Sequence, residues 1–145
     1  MTDLLKGSLF RRESKTLALT GAAGLGLSGS NIPLFTVTGE VLIVAIVPFC
    51  TEDLASAGGG TLALGVTGST ALFLAATVAT VIDVGEFVVN TTPVANGVAL
   101  PAAFKDIVIT DNIIGTVATA DITDGTIRFD VLYIPLSSDG LVVPA

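Results

Sequence analysis

"LASAGGGTLALGVTGSTALFLAATVATVID", residues 54–83, carries no charge before Asp83, and whether it forms a membrane helix or a pair of buried strands decides the fold. About 20 apolar residues suffice to cross a bilayer, so its length alone would allow a span. Its residues argue otherwise. Gly58, Gly59, Gly60, Gly65 and Gly68 crowd its first half, each costing about 1 kcal/mol against alanine in a helix. Thr61, Thr67, Ser69 and Thr70 lie among them, and no Lys or Arg flanks the segment closely enough to orient a span. The segment reads instead as strand, turn, strand: "TLALGV" at 61–66 and "TALFLAATVATVI" at 70–82, joined by "TGS" with Gly68 supplying a positive φ. Apolar residues in both phases of the alternation predict strands buried on both sides.

The same pattern extends outward. "FTVTGEVLIVAIVPF" (35–49) begins with Thr36, Thr38 and Glu40 in one phase and is apolar in both from Val41 to Val47. "GEFVVNTTP" (85–93), "GVALP" (97–101), "DIVITD" (106–111), "NIIGTVATADIT" (112–123) and "TIRFDVLYIPL" (126–136) are short β-branched runs. Turn dipeptides punctuate them: Asn96-Gly97, Asp111-Asn112, Asp124-Gly125 and Asp139-Gly140. In the last run Ile127, Phe129, Val131 and Tyr133 share one face, while Thr126, Arg128 and Asp130 share the other, as in a half-buried antiparallel strand. Only "TDLLKGSLFRRES" (2–14) and "LPAAFKD" (100–106) carry weak helical periodicity. Close-spaced strands with turn chemistry between them predict an all-β antiparallel sandwich, jelly roll or barrel.

The chain has 145 residues, 51% hydrophobic and 13% charged, which suits one folded domain and excludes disorder along its whole length. The net charge of −7 is unevenly placed. Residues 1–15 hold Lys6, Arg11, Arg12 and Lys15 against Asp3 and Glu13, whereas the rest of the chain holds only Lys105 and Arg128 against every other carboxylate. The sequence thus divides into a basic, glycine-rich N-terminal arm, 1–35, and a β-sandwich body, 36–145. The arm has two readings: a solvated terminus, or a docking arm laying Leu4, Leu5, Leu9 and Phe10 on a partner while Lys6, Arg11, Arg12 and Lys15 meet carboxylates. It lacks the uninterrupted apolar core of a secretory signal. No nucleic-acid partner is expected, since phosphate would repel an acidic body without a basic stripe. No membrane partner is expected either.

Catalytic chemistry is poorly provided for. There is no His, and the lone Cys50, without an imidazole to ionise it, reads as a small core residue at a strand end. "GLGLSG" (24–29) matches a dinucleotide-binding fingerprint, but Asn31, Pro33 and the threonines that follow replace the required helix. Asp121, Asp124 and Asp130 lack calcium-loop spacing, and Asp124-Gly125 reads as a hairpin turn. Asn90-Thr91-Thr92 fits a glycosylation sequon and reads as a strand end. No enzyme, cofactor, metal or catalytic residue is expected.

The stretches "TGEVLIVAIVPFCTEDLASAGGGTLALGVTGSTALFLAATVATVIDVGEFVV" and "LPAAFKDIVITDNIIGTVATADITDGTIRFDVLYIPLSSDG" resemble small structural proteins of tailed bacteriophages, in particular the head-decoration, or cement, class. The resemblance spans roughly residues 36–140 and implies a protein that stabilises a head from its outer surface. It further implies a homo-oligomer, most often a trimer, bound to the major capsid protein in the virion and assembled in the bacterial cytoplasm. The alternative of another class is a tail, neck or surface β-sandwich that binds a ligand such as carbohydrate. The chain's lack of Trp and its single Tyr give that reading few stacking platforms.

Overall fold

A computed structural model describes residues 9–145. Eleven strands form two antiparallel sheets packed face to face, as the alternation predicts. The first sheet contains β1 (Arg11–Ala18), β3 (Val41–Ala55), β6 (Glu86–Phe87), β7 (Val94–Ala95), β8 (Lys105–Ile109) and β10 (Asp124–Pro135), with β10 between β1 and β3. The second runs in the order β11 (Leu141–Pro144), β2 (Asn31–Thr38), β9 (Ile113–Ala118), β4 (Thr61–Val66), β5 (Ser69–Val78).

The opening segment is therefore two strands and a tight turn, and among the described residues no helix is long and apolar enough to cross a membrane. β4 lies between β9 and β5 and is buried from Leu62 to Val66, which explains its apolar character in both phases. β5 differs from expectation: it is an edge strand with irregular pairing to β4, and only Phe73, Leu74 and Thr77 are buried. The turn joining them does not use a positive φ at Gly68; there a Cβ would instead approach Asp111 Oδ2 at 3.1 Å.

"FTVTGEVLIVAIVPF" breaks at Gly39 (φ 64°), where the chain leaves β2 for β3 and so passes from one sheet to the other. β3 is buried on one face only. Val41, Ile43, Ile46 and Cys50 enter the core while Leu42, Val44, Val47 and Phe49 stay half-buried. A bulge opposite Leu132 and Tyr133 inserts Val44 as the extra residue. On β10 the inner row is Ile127, Phe129, Val131 and Tyr133, as the alternation indicates, each at most 1% exposed. These side chains pack with Ile32, Leu34 and Phe35 of β2, Leu62 and Leu64 of β4, and Ile113 and Val117 of β9 in one core. Burial of each such side chain stabilises the fold by about 1.5–3 kcal/mol.

The remaining expectations divide. "LPAAFKD" contains one 3₁₀ turn, Ala102–Phe104, whose Phe104 is buried, and then enters β8. "GVALP" forms no strand, and "GEFVVNTTP" pairs only at Glu86–Phe87 before a turn in which Thr92 N–H donates to Asn90 Oδ1. The helical reading of residues 2–14 fails from Arg11 on, because those residues pair with β10; the segment before Leu9 lies outside the described residues. Asp124-Gly125 is a bulge and not a hairpin: Gly125 (φ 109°) sits where a Cβ would lie 2.6 Å from the carbonyl oxygen of Asp53. The expected boundary at residue 35 falls inside β2, and from Arg11 onward the basic, glycine-rich segment supplies one strand to each sheet. Its pairing groups and its buried Leu17, Leu19, Ile32 and Leu34 draw it into the sandwich.

Candidate docking surfaces

β1 positions the sequence's basic residues along one edge of the first sheet, paired to β10 from Arg11↔Tyr133 to Ala18↔Thr126. Alternation divides them. Arg12 shares the outer face with Asp130, and its guanidinium donates to Asp130 Oδ1 at 2.8 Å; Arg128 donates to Oδ2 of the same carboxylate at 2.8 Å. Partial burial pushes the Asp130 carboxyl up, but hydrogen bonds from Arg12, Ser14 and Arg128 outweigh it and hold the group below the usual carboxylate range. Arg128 also lies over the Phe49 ring, 5.2 Å from its centroid, and Phe49 packs against Phe87 with ring centroids 5.0 Å apart.

Lys15 belongs to the inner phase and reaches across the seam between the sheets. Its ammonium donates to the carbonyl of Pro33 (3.2 Å) and to the main-chain oxygen of Ala145. It thereby covers main-chain acceptors where β1 and β11, the edges of the two sheets, run side by side. A cleft of about 430 Å³ opens beside it, lined by Thr16, Leu17, Leu25, Ile32 and Pro33 among others. Of the basic residues expected to face a partner, Arg12 and Lys15 thus make contacts within the chain. Leu4, Leu5 and Lys6 lie outside the described residues.

Leu9, Phe10 and Arg11 are exposed at the start of β1. Phe10 immediately precedes Arg11, the first residue of β1 paired to β10; on the neighbouring strands Ile134 pairs with Leu42, and Leu42 with Val108. An apolar row thus crosses three neighbouring strands, β10, β3 and β8, at one end of the outer face, with Phe10 just before β1; Phe10 is 40% and Val108 55% exposed. Leu136, just beyond β10, is 48% exposed at the same end. The row was missed in the sequence, although a signal existed: the polar phase of "TIRFDVLYIPL" ends at Asp130 and continues as Leu132 and Ile134.

The other motifs resolve locally. Asp121 accepts from Ser28 N–H, Asp124 from Gly125 N–H, and Asp130 from the arginines; among the described residues no group of His, Cys, Asp and Glu is placed to hold a metal ion. In "GLGLSG" Gly26 (φ 118°) packs against the main chain of Ile122, where a Cβ would come within 2.1 Å of the carbonyl oxygen. Cys50 is fully buried within β3, short of its end, and its thiol donates to the Glu52 carbonyl. Burial, reinforced by the carboxylates of Asp53, Glu86 and Asp83, pushes that thiol up to about 11.

Charge is partitioned between the sheets. All five described cations, Arg11, Arg12, Lys15, Lys105 and Arg128, lie on strands of the first sheet. No residue of β2, β4, β5, β9 or β11 is charged.

No protein-family model and no curated protein matches the chain. Among solved structures, a chain of the cyanophage Pam1 capsid asymmetric unit is similar in fold, with a TM-score of 0.52 at 17% identity. The similarity covers 86% of this chain and 84% of the other, so the two are of nearly equal length.

Proposed function

We propose that the protein is a non-enzymatic structural component of a phage virion. In this reading it is a decoration, or cement, protein that binds the outer surface of the head through the major capsid protein and does so as a homo-oligomer, a trimer being the expected form. The observation carrying the reading is the correspondence of fold over nearly the full length of two similar-sized chains, the other belonging to a capsid asymmetric unit. The resemblance of residues 36–140 to head-decoration proteins supports it from the sequence. Docking falls to the base of the first sheet. Leu9, Phe10, Ile134, Leu42 and Val108 supply apolar contact, Arg11 faces carboxylates of the shell, and the segment carrying Leu4, Leu5 and Lys6 extends the footprint. Arg12 and Lys15 root β1 to the sandwich instead of touching the shell. Exposed ion pairs contribute under about 1 kcal/mol each, so apolar contact and many copies acting together carry the affinity.

The test is co-sedimentation with undecorated heads. Deleting residues 2–8 spares β1, unlike a deletion reaching residue 15, and should weaken binding at least about tenfold, as should Val108→Asp. Heads that bind both variants as tightly as the full chain would overturn the docking assignment.

A further inference from the structure

We infer that the outer face of the second sheet, β11-β2-β9-β4-β5, is where copies of this chain meet one another. The chain carries a net charge of −7, so two copies repel wherever carboxylates face carboxylates. Every charged residue described lies on a strand of the first sheet or in a loop. Among the described residues the second sheet therefore offers a surface on which two acidic bodies can approach without setting like charges against each other.

Register defines that surface. Val142 and Val37 pair and point into the core, which turns their neighbours Val143 and Thr36 outward as a cross-strand pair. Farther across, Thr116 pairs with Ala63, and Ala118 with Thr61, which in turn pairs with Val78. Thr36, Ala118, Val143 and Val78 are exposed, the valines at 38% and 41%. All are short or β-branched, so the face is low in relief and loses little side-chain entropy when covered. The outward phase is not open throughout: Ala63 and Ile114 are buried within the chain, as is Gly65, where a Cβ would meet the main chain of Ser69 and Thr70, so the free surface runs along β11 and β2 and the Ala118–Thr61–Val78 end of the sheet. Two copies meeting there would bury less than the roughly 1,000 Å² of a stable specific interface, which makes this a weak, concentration-dependent association. The carboxylates of Glu40, Asp111, Asp121 and Asp139 sit in the connecting loops, outside these strands.

The assignment rests on the self-association proposed above, but a face meeting its own copy is isologous and closes a dimer in place of a trimer; it is independent of head docking and uses the sheet opposite the docking row. Its test is sedimentation velocity of the full chain from about 1 to about 100 µM. Salt is raised from about 0.1 to about 1 M, which shortens the Debye length from about 10 to about 3 Å. Association should tighten with salt as repulsion is screened, whereas an interface of ion pairs would loosen. Thr36→Lys and Ala118→Lys each bring the net charge closer to zero, yet each should weaken association at least tenfold by burying a charge in the interface. Thr16→Lys, on the outer face of β1, makes the same charge change and should associate as well as the unaltered chain or better. Near-ultraviolet circular dichroism verifies folding of each variant, and either second-sheet position suffices for the comparison. A monomer throughout would overturn self-association and the face together. Oligomers that loosen with salt, or that form equally well with lysine at positions 36 and 118, would overturn the face alone.

Discussion

The guanidinium of Arg12 reaches diagonally across the β1–β10 pair to Asp130, 2.8 Å away, and Arg128 donates to the other oxygen of the same carboxylate. One acidic group thus holds a cation from the start of the chain and a cation from the body. The arrangement joins β1 to β10, and it makes the first strand part of the sandwich from Arg11 onward.

The pH dependence of stability follows from this carboxylate. Its folded-state pKa lies below the unfolded value, so its contribution is present above the unfolded pKa, near 4, and is lost as pH falls through the folded pKa. Asp130→Asn should lower the melting temperature at neutral pH and flatten its decline below about pH 4. Equal acid slopes for the two proteins would remove Asp130 from the account.

Cys50 acts at the opposite end of the scale. Its folded pKa is raised from 9.0 to about 11, so its contribution is intact below the unfolded pKa and is lost as pH rises between those values. Cys50→Ala should reduce the loss of stability over that alkaline interval. The native thiol should also stay unreactive toward a maleimide at pH 8 until denaturant opens the core; rapid labelling of the folded protein would contradict its placement.

The bulge in β3 separates two neighbouring positions that look equivalent in the sequence. Ile46 is fully buried and Val44 half-buried, so Ile46→Asp should prevent folding, while Val44→Asp should fold with a lowered melting temperature. Ile46→Ala should cost about 2–5 kcal/mol. Comparable losses for the two aspartate variants in urea titrations would show that both faces of β3 are sealed.

Gly125 and Gly24 both have positive φ, at 109° and 72°, but only at Gly125 would a Cβ strike backbone, 2.6 Å from Asp53 O and 2.7 Å from Leu54 Cα. Gly24 has nothing within 4 Å. Gly24→Ala should cost about 1 kcal/mol and Gly125→Ala distinctly more, as thermal melts would report.

Particular residues show what the sequence revealed and what it concealed. "TIRFDVLYI" was legible because a half-buried strand writes its two faces as alternating residue types, and the inner row of β10 follows that pattern. "FTVTGEVLIVAIVPF" was only partly legible: Gly39 and Glu40 mark the crossing between sheets, but the apolar run on both sides hides the break. β3 and β5 read as buried on both faces because Leu42, Val44 and Ala75 look like core residues in the alphabet; the topology leaves them on an outer face or an open edge. Charge was legible along the chain but not across the fold. Along the chain the contrast is a basic start against an acidic remainder, and the fold turns it into a contrast between sheets, because β1 pairs with β10 while the uncharged β2, β4, β5, β9 and β11 assemble together. The apolar row from Phe10 to Val108 joins positions nearly a hundred residues apart, so it exists only once the strand order is known.

The central proposal is that this chain is a structural part of a virion, and quantitative mass spectrometry of particles purified from infected cells that express the chain tests that proposal most directly. A decoration protein should appear at a copy number on the scale of the shell subunits themselves. Absence from purified particles, with the chain present only in the infected-cell lysate, would contradict the account.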